Sequence, residues 1–111
     1  MYLEFLLVDV SMLYTILGKD DENLVIKLAD VAHPIFQAHF PNNHILPAFC
    51  HLDILSQVFD DVILKLQKLK LNNKVYPNEI VTYEIVTKKN QKKIKIFNHE
   101  NLKVGDIIYE C

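Results

Sequence analysis

The second half of the chain alternates between apolar and polar residues and predicts four β-strands. Residues 64–71 alternate leucine with lysine and glutamine, the period-two pattern of a strand with one face in water. Three further strands are predicted at 80–87, 92–98 and 104–111, with a polar turn at 88–91 between the first two. The short connections favour an antiparallel sheet.

The first half begins with two strand candidates and then changes character. Residues 10–16 are bulky and β-branched, the run 18–21 interrupts the pattern, and 23–29 form a second apolar strand. The short gap suits a hairpin, so these two strands are expected to pair antiparallel. Residues 33–47 contain three prolines and two consecutive asparagines, and are predicted to be a loop without helix or strand. This loop is unusually apolar and must pack against the rest of the protein.

One helix is predicted at 48–60. Pro47 precedes it, where proline is tolerated at a helix start, and apolar residues then occupy most of the helical circumference. A short helix of this kind belongs at the centre of a fold. The order strand, strand, helix and four strands predicts a single α+β domain, 1–111, of the hotdog type, in which an antiparallel sheet is wrapped around one central helix. A chain of 111 residues buries a core with a thin margin, so an oligomer is expected.

Charge is divided unequally along the chain. Residues 1–59 carry two lysines and seven acidic residues, whereas 60–111 carry ten lysines and seven acidic residues. The basic half is interpreted either as solvated strand faces or as a docking surface for an acidic partner. All twelve basic residues are lysines, and the absence of arginine disfavours recognition of nucleic acid.

The remaining composition narrows the class of protein. Two cysteines give no disulfide framework, no secretory signal is recognisable, and no apolar run approaches the roughly 20 residues that span a bilayer. A cytoplasmic protein without a membrane span is therefore expected. No histidine and cysteine cluster has the spacing of zinc ligands, so no metal is predicted. Other expectations are a core position for Cys50, surface or supporting positions for His33, His44 and His51, and packing on strands for Tyr76 and Tyr83.

His39 and Asp53 are the first candidates for chemistry. His39 lies in the apolar loop, Asp53 lies in the predicted helix, and no other acidic residue lies between them. An unpaired carboxylate is costly to bury, and a cleft beside the helix would make both its burial and its pKa useful. The two side chains are therefore candidates for a base and an acid.

The run from His39 to Asp53 resembles the signature of the β-hydroxyacyl-acyl-carrier-protein dehydratases. That signature has His-Phe, a glycine-containing turn, a Pro-Gly helix start, and a Glu or Asp fourteen residues after the histidine. Here the run is HFPNNHILPAFCHLD. The resemblance covers most of the chain, with the loop and helix as its specific part, and it implies the hotdog fold.

The resemblance implies elimination of water from a β-hydroxyacyl thioester, without metal or organic cofactor, in fatty-acid or related lipid synthesis. His39 matches the catalytic histidine, which removes the proton next to the carbonyl, and Asp53 matches the catalytic acid, which protonates or orients the departing hydroxyl. These two groups come from different copies of a homodimer or of a higher oligomer of dimers. The start of the helix polarises the thioester carbonyl. The implied substrate-binding residues are Phe40, Pro47, Ala48, Phe49 and Gln57, and the implied substrate is linked to acyl-carrier protein or coenzyme A.

Two other functions stay open. A hotdog thioesterase uses a carboxylate on the same helix to direct water at the carbonyl, and does not need His39. A non-catalytic subunit would bind an acyl chain or a carrier protein without turning it over. Ala48 motivates this second alternative, because it places a methyl group where the family has glycine. His44 also motivates this alternative, because it stands where the family has proline.

Overall fold

The computed structural model of the protein describes residues 13–38 and 44–111. Within these ranges the chain forms six strands and two helices. In chain order they are β1 (Tyr14–Lys19), β2 (Asn23–Leu28), α1 (Pro34–Ala38), α2 (Ala48–Phe59), β3 (Lys65–Leu71), β4 (Ile80–Lys88), β5 (Gln91–Phe97) and β6 (Lys103–Glu110).

The strands form one antiparallel sheet in the order β1-β2-β4-β5-β6-β3. After β2 the chain leaves the sheet, passes through both helices, and returns at the opposite edge as β3. The buried residues of α2, namely Cys50, His51, Ile54 and Leu55, lie in the core with the inward residues of the sheet. The structure thus confirms the predicted antiparallel sheet with one main helix.

Alternating burial along the strands builds this core. In β4, Val81, Tyr83 and Ile85 are buried, while the residues between them are exposed or half-buried. In β5 the same alternation buries Ile94 and Ile96. Successive side chains of a strand point to opposite faces, so the apolar residues meet α2 and the intervening polar residues face solvent.

Strand β3 contains a bulge that its sequence explains. Gln67 and Lys68 are consecutive polar residues in an otherwise alternating strand, and the pairing of β3 with β6 shifts register between Leu66 and Lys68. A bulge accommodates one extra residue in one strand of a pair. The shift keeps Leu66 and Leu69 on the same face of the sheet.

Strand β1 ends further along the chain than predicted. It covers Tyr14–Lys19 and passes the predicted end at residue 16, because Gly18 continues the strand across a register shift instead of opening the turn. Residues 10–12 of the predicted strand lie outside the described residues. The turn begins at Asp20, whose carboxylate accepts two backbone hydrogen bonds at 2.8 Å. A carboxylate that binds the backbone of the next residues is a strong turn signal.

The loop predicted at 33–47 contains the helix α1, so that prediction is wrong at its start. Pro34 suggests a break, but it is the first residue of the helix, where the missing N–H has no intrahelical partner to lose. His33 is buried, and its Nδ1 accepts a hydrogen bond from the backbone N–H of Ile35 at 3.1 Å. This bond stabilises the first turn of α1.

The other elements agree with the sequence predictions to within a few residues. Helix α2 ends at Phe59, one residue before the predicted end. Strands β3 to β6 overlap the four predicted ranges. Among the described helices, none combines the length and the apolar character needed to cross a membrane.

Gly105 in β6 permits a close approach of β3, and we expect Gly105→Ala to destabilise the protein. A Cβ at this position would collide with the backbone oxygen of Lys70 and would lie 2.8 Å from Leu71 Cδ2. Overpacking of this kind costs about 1–3 kcal/mol, so the free energy of unfolding should fall by about 2 kcal/mol or more. Chemical denaturation measures this change.

Gly18→Ala is the matched control for that substitution. A Cβ on Gly18 would meet no atom within 4 Å, and its φ is not positive. This variant should unfold at the same or slightly higher denaturant concentration than the wild type. Equal stability of the two alanine variants would contradict the proposed close approach at Gly105.

Candidate active site

Helix α2 begins beside an apolar cleft. Pro47 is the N-cap residue, with an extended backbone (φ −61°, ψ 148°) and no side-chain cap. The preceding residue is fixed by a 2.8 Å hydrogen bond from the N–H of Leu46 to the carbonyl oxygen of Val75. The first N–H groups of a helix have no intrahelical acceptor and carry the positive end of the helix dipole. The start of α2 is therefore a suitable place for an oxygen that gains negative charge.

The cleft has a volume of about 480 Å³ and lies between the start of α2 and the end of β3. Three of the predicted substrate-binding residues, Pro47, Ala48 and Phe49, line it. The other lining residues are Ile45, Leu46, Leu71, Asn72, Asn73 and Lys74. The wall is mostly apolar, which suits an acyl chain.

Asp53 lies one helical turn beyond the cleft residue Phe49, and Gln57 lies one turn beyond Asp53. Residues four apart are neighbours on a helix surface, so these three side chains form one stripe, here called the acid face of α2. Phe49 is 38% exposed, Asp53 is half-buried and Gln57 is exposed. The structure thus brings three predicted site residues, those of the acid face, to one side of the helix, and it places Ala48 next to Phe49 at the helix start.

The carboxyl group of Asp53 retains its proton more readily than an ordinary aspartic acid. Burial raises its pKa, because the charged form loses hydration. Asp53 makes no hydrogen bond or ion pair with the residues that the structure describes. A half-buried carboxyl group of this kind is suited to donate a proton.

A side chain of the sheet holds the carboxamide of Gln57. The hydroxyl of Tyr14 in β1 donates a 3.0 Å hydrogen bond to Gln57 Oε1. Tyr14 packs against the core, and its backbone pairs with Leu28 of β2. The carboxamide of Gln57 therefore has a fixed contact at its oxygen.

His39 and Phe40, which the sequence predicts to be catalytic and substrate-binding, lie outside the described residues. His44 follows that segment, and its Nδ1 donates a 2.8 Å hydrogen bond to the carbonyl oxygen of Phe36 in α1. This bond joins the chain on both sides of the undescribed segment. His44 thus has the supporting position expected from the sequence.

His51 is a buried polar residue, so the surface alternative of its prediction is wrong. It was expected at the surface or in a supporting position, but its side chain is fully buried, and its Nδ1 lies 2.7 Å from the hydroxyl of Tyr83 in β4. Burial lowers the pKa of His51 to about 4, so the ring is neutral at pH 7. Its Nε2 has no hydrogen-bond partner among the described residues. The signal in the sequence was its spacing from Ile54 and Leu55, which share the buried side of α2.

The predictions for Cys50 and Tyr83 are confirmed, and the prediction for Tyr76 is wrong. Cys50 is fully buried as expected, and burial, with the charge of Asp53, raises the pKa of its thiol to about 12, which keeps it protonated and unreactive. Tyr83 is a buried strand residue, as expected. Tyr76 is 44% exposed and precedes β4, so the prediction of a packing role on a strand is wrong.

Asp61, just after α2, anchors the end of the helix to the sheet. Its Oδ2 accepts hydrogen bonds from Lys92 Nζ in β5 and from the hydroxyl of Tyr109 in β6, both at 2.7 Å. The same Lys92 ammonium lies 4.6 Å from the centre of the Phe59 ring. Asp60 ends the helix in the left-handed conformation (φ 53°). These contacts fix the helix that carries the acid face.

Two lysines of β5, in the basic half of the chain, lie on the face of the sheet opposite α2. Lys93 and Lys95 alternate with the buried isoleucines of β5 and face away from α2. Asp106 lies among lysines, and its pKa is lowered chiefly by a hydrogen bond with Lys103. Lys74 is the lysine among the residues that line the apolar cleft. Both interpretations of the lysines, solvated faces and a docking surface, stay predictions.

Comparisons with known proteins agree with this architecture. Residues 18–106 match the model of a family described as ApeI-like, ApeI dehydratase. The chain is similar to the dehydratase heterocomplex ApeI:P from Xenorhabdus doucetiae, with a TM-score of 0.69 and 13% identity over 87% of this chain and 96% of that chain. It is also similar to an uncharacterized protein from Erwinia carotovora subsp. atroseptica, with a TM-score of 0.68 and 17% identity over 89% of this chain and 95% of that chain. No curated protein matches the sequence.

Proposed function

The chain belongs to the ApeI-like dehydratase family, and from that premise we propose that it removes water from a β-hydroxyacyl thioester to give the trans-2-enoyl thioester, in fatty-acid or related lipid synthesis. In this proposal the antiparallel sheet with its main helix is a hotdog fold. The observation that carries the proposal is Asp53, a half-buried carboxyl group with a raised pKa, one turn from a residue that lines the apolar cleft.

The proposed reaction needs one base and one acid. The imidazole of His39 takes the proton from the carbon next to the carbonyl, and that electron pair forms the new double bond. The bond from the next carbon to its hydroxyl oxygen breaks, and the oxygen leaves as water with the proton of Asp53. The start of α2 polarises the carbonyl oxygen and so makes the first proton acidic enough to be removed.

Two subunits are proposed to complete the site, with His39 from one and Asp53 from the other. The size of the chain supports association with a second copy, because 111 residues bury a core with only a thin margin. A homodimer, or an oligomer of such dimers, is the assembly proposed. The relative from Xenorhabdus doucetiae is a heterocomplex, so a second, different subunit is an alternative partner for the same interface.

The acyl group is proposed to be carried by acyl-carrier protein or coenzyme A. Both carriers are anionic, and Lys74 at the cleft and the lysines of the second half offer opposite charge. Raised ionic strength should therefore weaken binding of the carrier.

The test is an assay of enoyl thioesters of graded chain length, linked either to acyl-carrier protein or to coenzyme A. It follows two products, the hydrated thioester and the free thiol. We expect water to add reversibly across the double bond, since a dehydratase catalyses both directions, and no free thiol to appear. Release of free thiol without hydration would identify a thioesterase. Binding of carrier protein with neither product at any chain length would identify a non-catalytic subunit. Either of these outcomes contradicts the proposed dehydration.

A further inference from the structure

We propose that Tyr14 is a positioning residue that turns the amide N–H groups of Gln57 toward the hydroxyl group that leaves, next to Asp53. This inference rests on the proposed function, because it concerns the oxygen to which Asp53 gives its proton. It starts from the 3.0 Å hydrogen bond between the Tyr14 hydroxyl and Gln57 Oε1.

A carboxamide has two different ends, and a contact at one end decides what the other presents. The oxygen accepts hydrogen bonds and the nitrogen donates two. Because Tyr14 donates to Oε1, the N–H groups of Gln57 are the end that is left for other contacts. Without Tyr14 the carboxamide could turn over and present its oxygen, which repels an oxygen that gains negative charge.

Helix geometry directs this carboxamide toward Asp53. Side chains of an α-helix tilt toward its N-terminus, so Gln57 covers the turn that Asp53 occupies four residues earlier. No other described side chain holds the Gln57 carboxamide. The N–H groups of Gln57 and the proton of Asp53 are therefore directed toward the same region beside the helix.

The position of Tyr14 is itself well fixed. Its backbone pairs with Leu28, and the carbonyl oxygen of the preceding Leu13 accepts a 2.6 Å hydrogen bond from the N–H of Ala29. Its ring packs against the core. The hydroxyl thus acts from a paired strand of the sheet on an exposed side chain of the helix.

This arrangement assigns two roles to the two lone pairs of the leaving oxygen. One accepts the proton of Asp53, while the other accepts an N–H hydrogen bond from Gln57. The second bond strengthens as the bond between carbon and oxygen breaks, so it favours the transition state over the bound substrate. Loss of Tyr14 should therefore lower kcat and leave KM nearly unchanged.

The experiment is a double-mutant cycle of Tyr14→Phe and Gln57→Ala, with Tyr76→Phe as the matched control. We expect Tyr14→Phe to lower kcat about tenfold, the loss of one positioning hydrogen bond, and to have no further effect when Gln57 is already alanine. The hydroxyl of Tyr76 bonds no described residue, so its removal should leave kcat unchanged. An equal loss from Tyr14→Phe with and without Gln57 would overturn the inference, as would a wild-type kcat in Tyr14→Phe.

A second measurement keeps this inference separate from the proposed function. In nuclear magnetic resonance spectra, the side-chain amide signals of Gln57 should shift in Tyr14→Phe, while those of Gln37, whose amide donates to the carbonyl oxygen of Val31, should stay in place. Unchanged Gln57 signals would overturn the inference even if the enzyme is a dehydratase. Wild-type protein without hydration activity would instead contradict the proposed function.

Discussion

Asp53→Asn is expected to lower kcat for the dehydration of a β-hydroxyacyl thioester by roughly 10²–10⁴-fold, the usual contribution of a general acid. Asparagine keeps the shape of the side chain but has no proton that it can give to the leaving oxygen. The burial that raises the pKa of Asp53 would no longer serve catalysis. Initial rates with saturating enoyl or β-hydroxyacyl thioester measure the change.

Asp60→Asn offers a matched control for that substitution. Asp60 follows the same helix and has a positive φ, a conformation that asparagine also adopts at little cost. Its kcat should equal that of the wild type, and both variants should fold. A fully active Asp53→Asn protein would remove Asp53 from the mechanism.

His39→Ala then separates the two enzyme hypotheses. For a dehydratase, loss of the base should abolish hydration as thoroughly as loss of the acid. For a thioesterase that uses the carboxylate alone, hydrolysis should persist in His39→Ala and disappear in Asp53→Asn. The comparison needs only the two products already followed in the assay of the wild type.

The free energy of unfolding is expected to fall by about 3 kcal/mol as the pH falls from 6.5 toward 4, because His51 is buried in its neutral form. Its pKa is about 4 in the folded protein and 6.5 when exposed, and each unit corresponds to about 1.4 kcal/mol. The unfolded chain binds the extra proton in this range, so this contribution is complete above pH 6.5 and is lost on acidification. Urea denaturation at several pH values measures the loss.

The double variant His51→Leu with Tyr83→Phe tests the origin of this pH dependence. It replaces both partners of the buried hydrogen bond by apolar groups, which avoids leaving one of them unpaired. Its stability should decline less between pH 6.5 and 4 than that of the wild type. Asp53 contributes with the opposite sign, because a raised carboxyl pKa favours the folded state at lower pH. An unchanged slope in the double variant would show that His51 does not cause the loss.

The main elements could be predicted because their patterns are local. Alternation located the strands of the second half, and the apolar residues after Pro47 located α2. The spacing of Asp53 from His39 marked a carboxyl group that the structure shows half-buried on α2. Helix α1 was missed because Pro34 ends a helix in some contexts and begins one in others.

The contacts that the sequence could not reveal join distant residues. His51 looked like a surface or supporting group, because its partner Tyr83 lies 32 residues away on a strand. Gln57 was predicted as a substrate-binding residue, but nothing near it in sequence indicated Tyr14, 43 residues earlier. Such pairs depend on how α2 lies across the sheet, which follows from packing and not from any local pattern.

The proposed proton donor and the far wall of the cleft belong to different parts of the chain. Asp53 stands on α2 about 6 Å along the helix from Phe49, while Asn72, Asn73 and Lys74 come from the connection after β3. Under the proposed function, that connection could change in length or sequence to admit longer, shorter or bulkier acyl groups without moving Asp53. Selectivity and chemistry would then diversify separately.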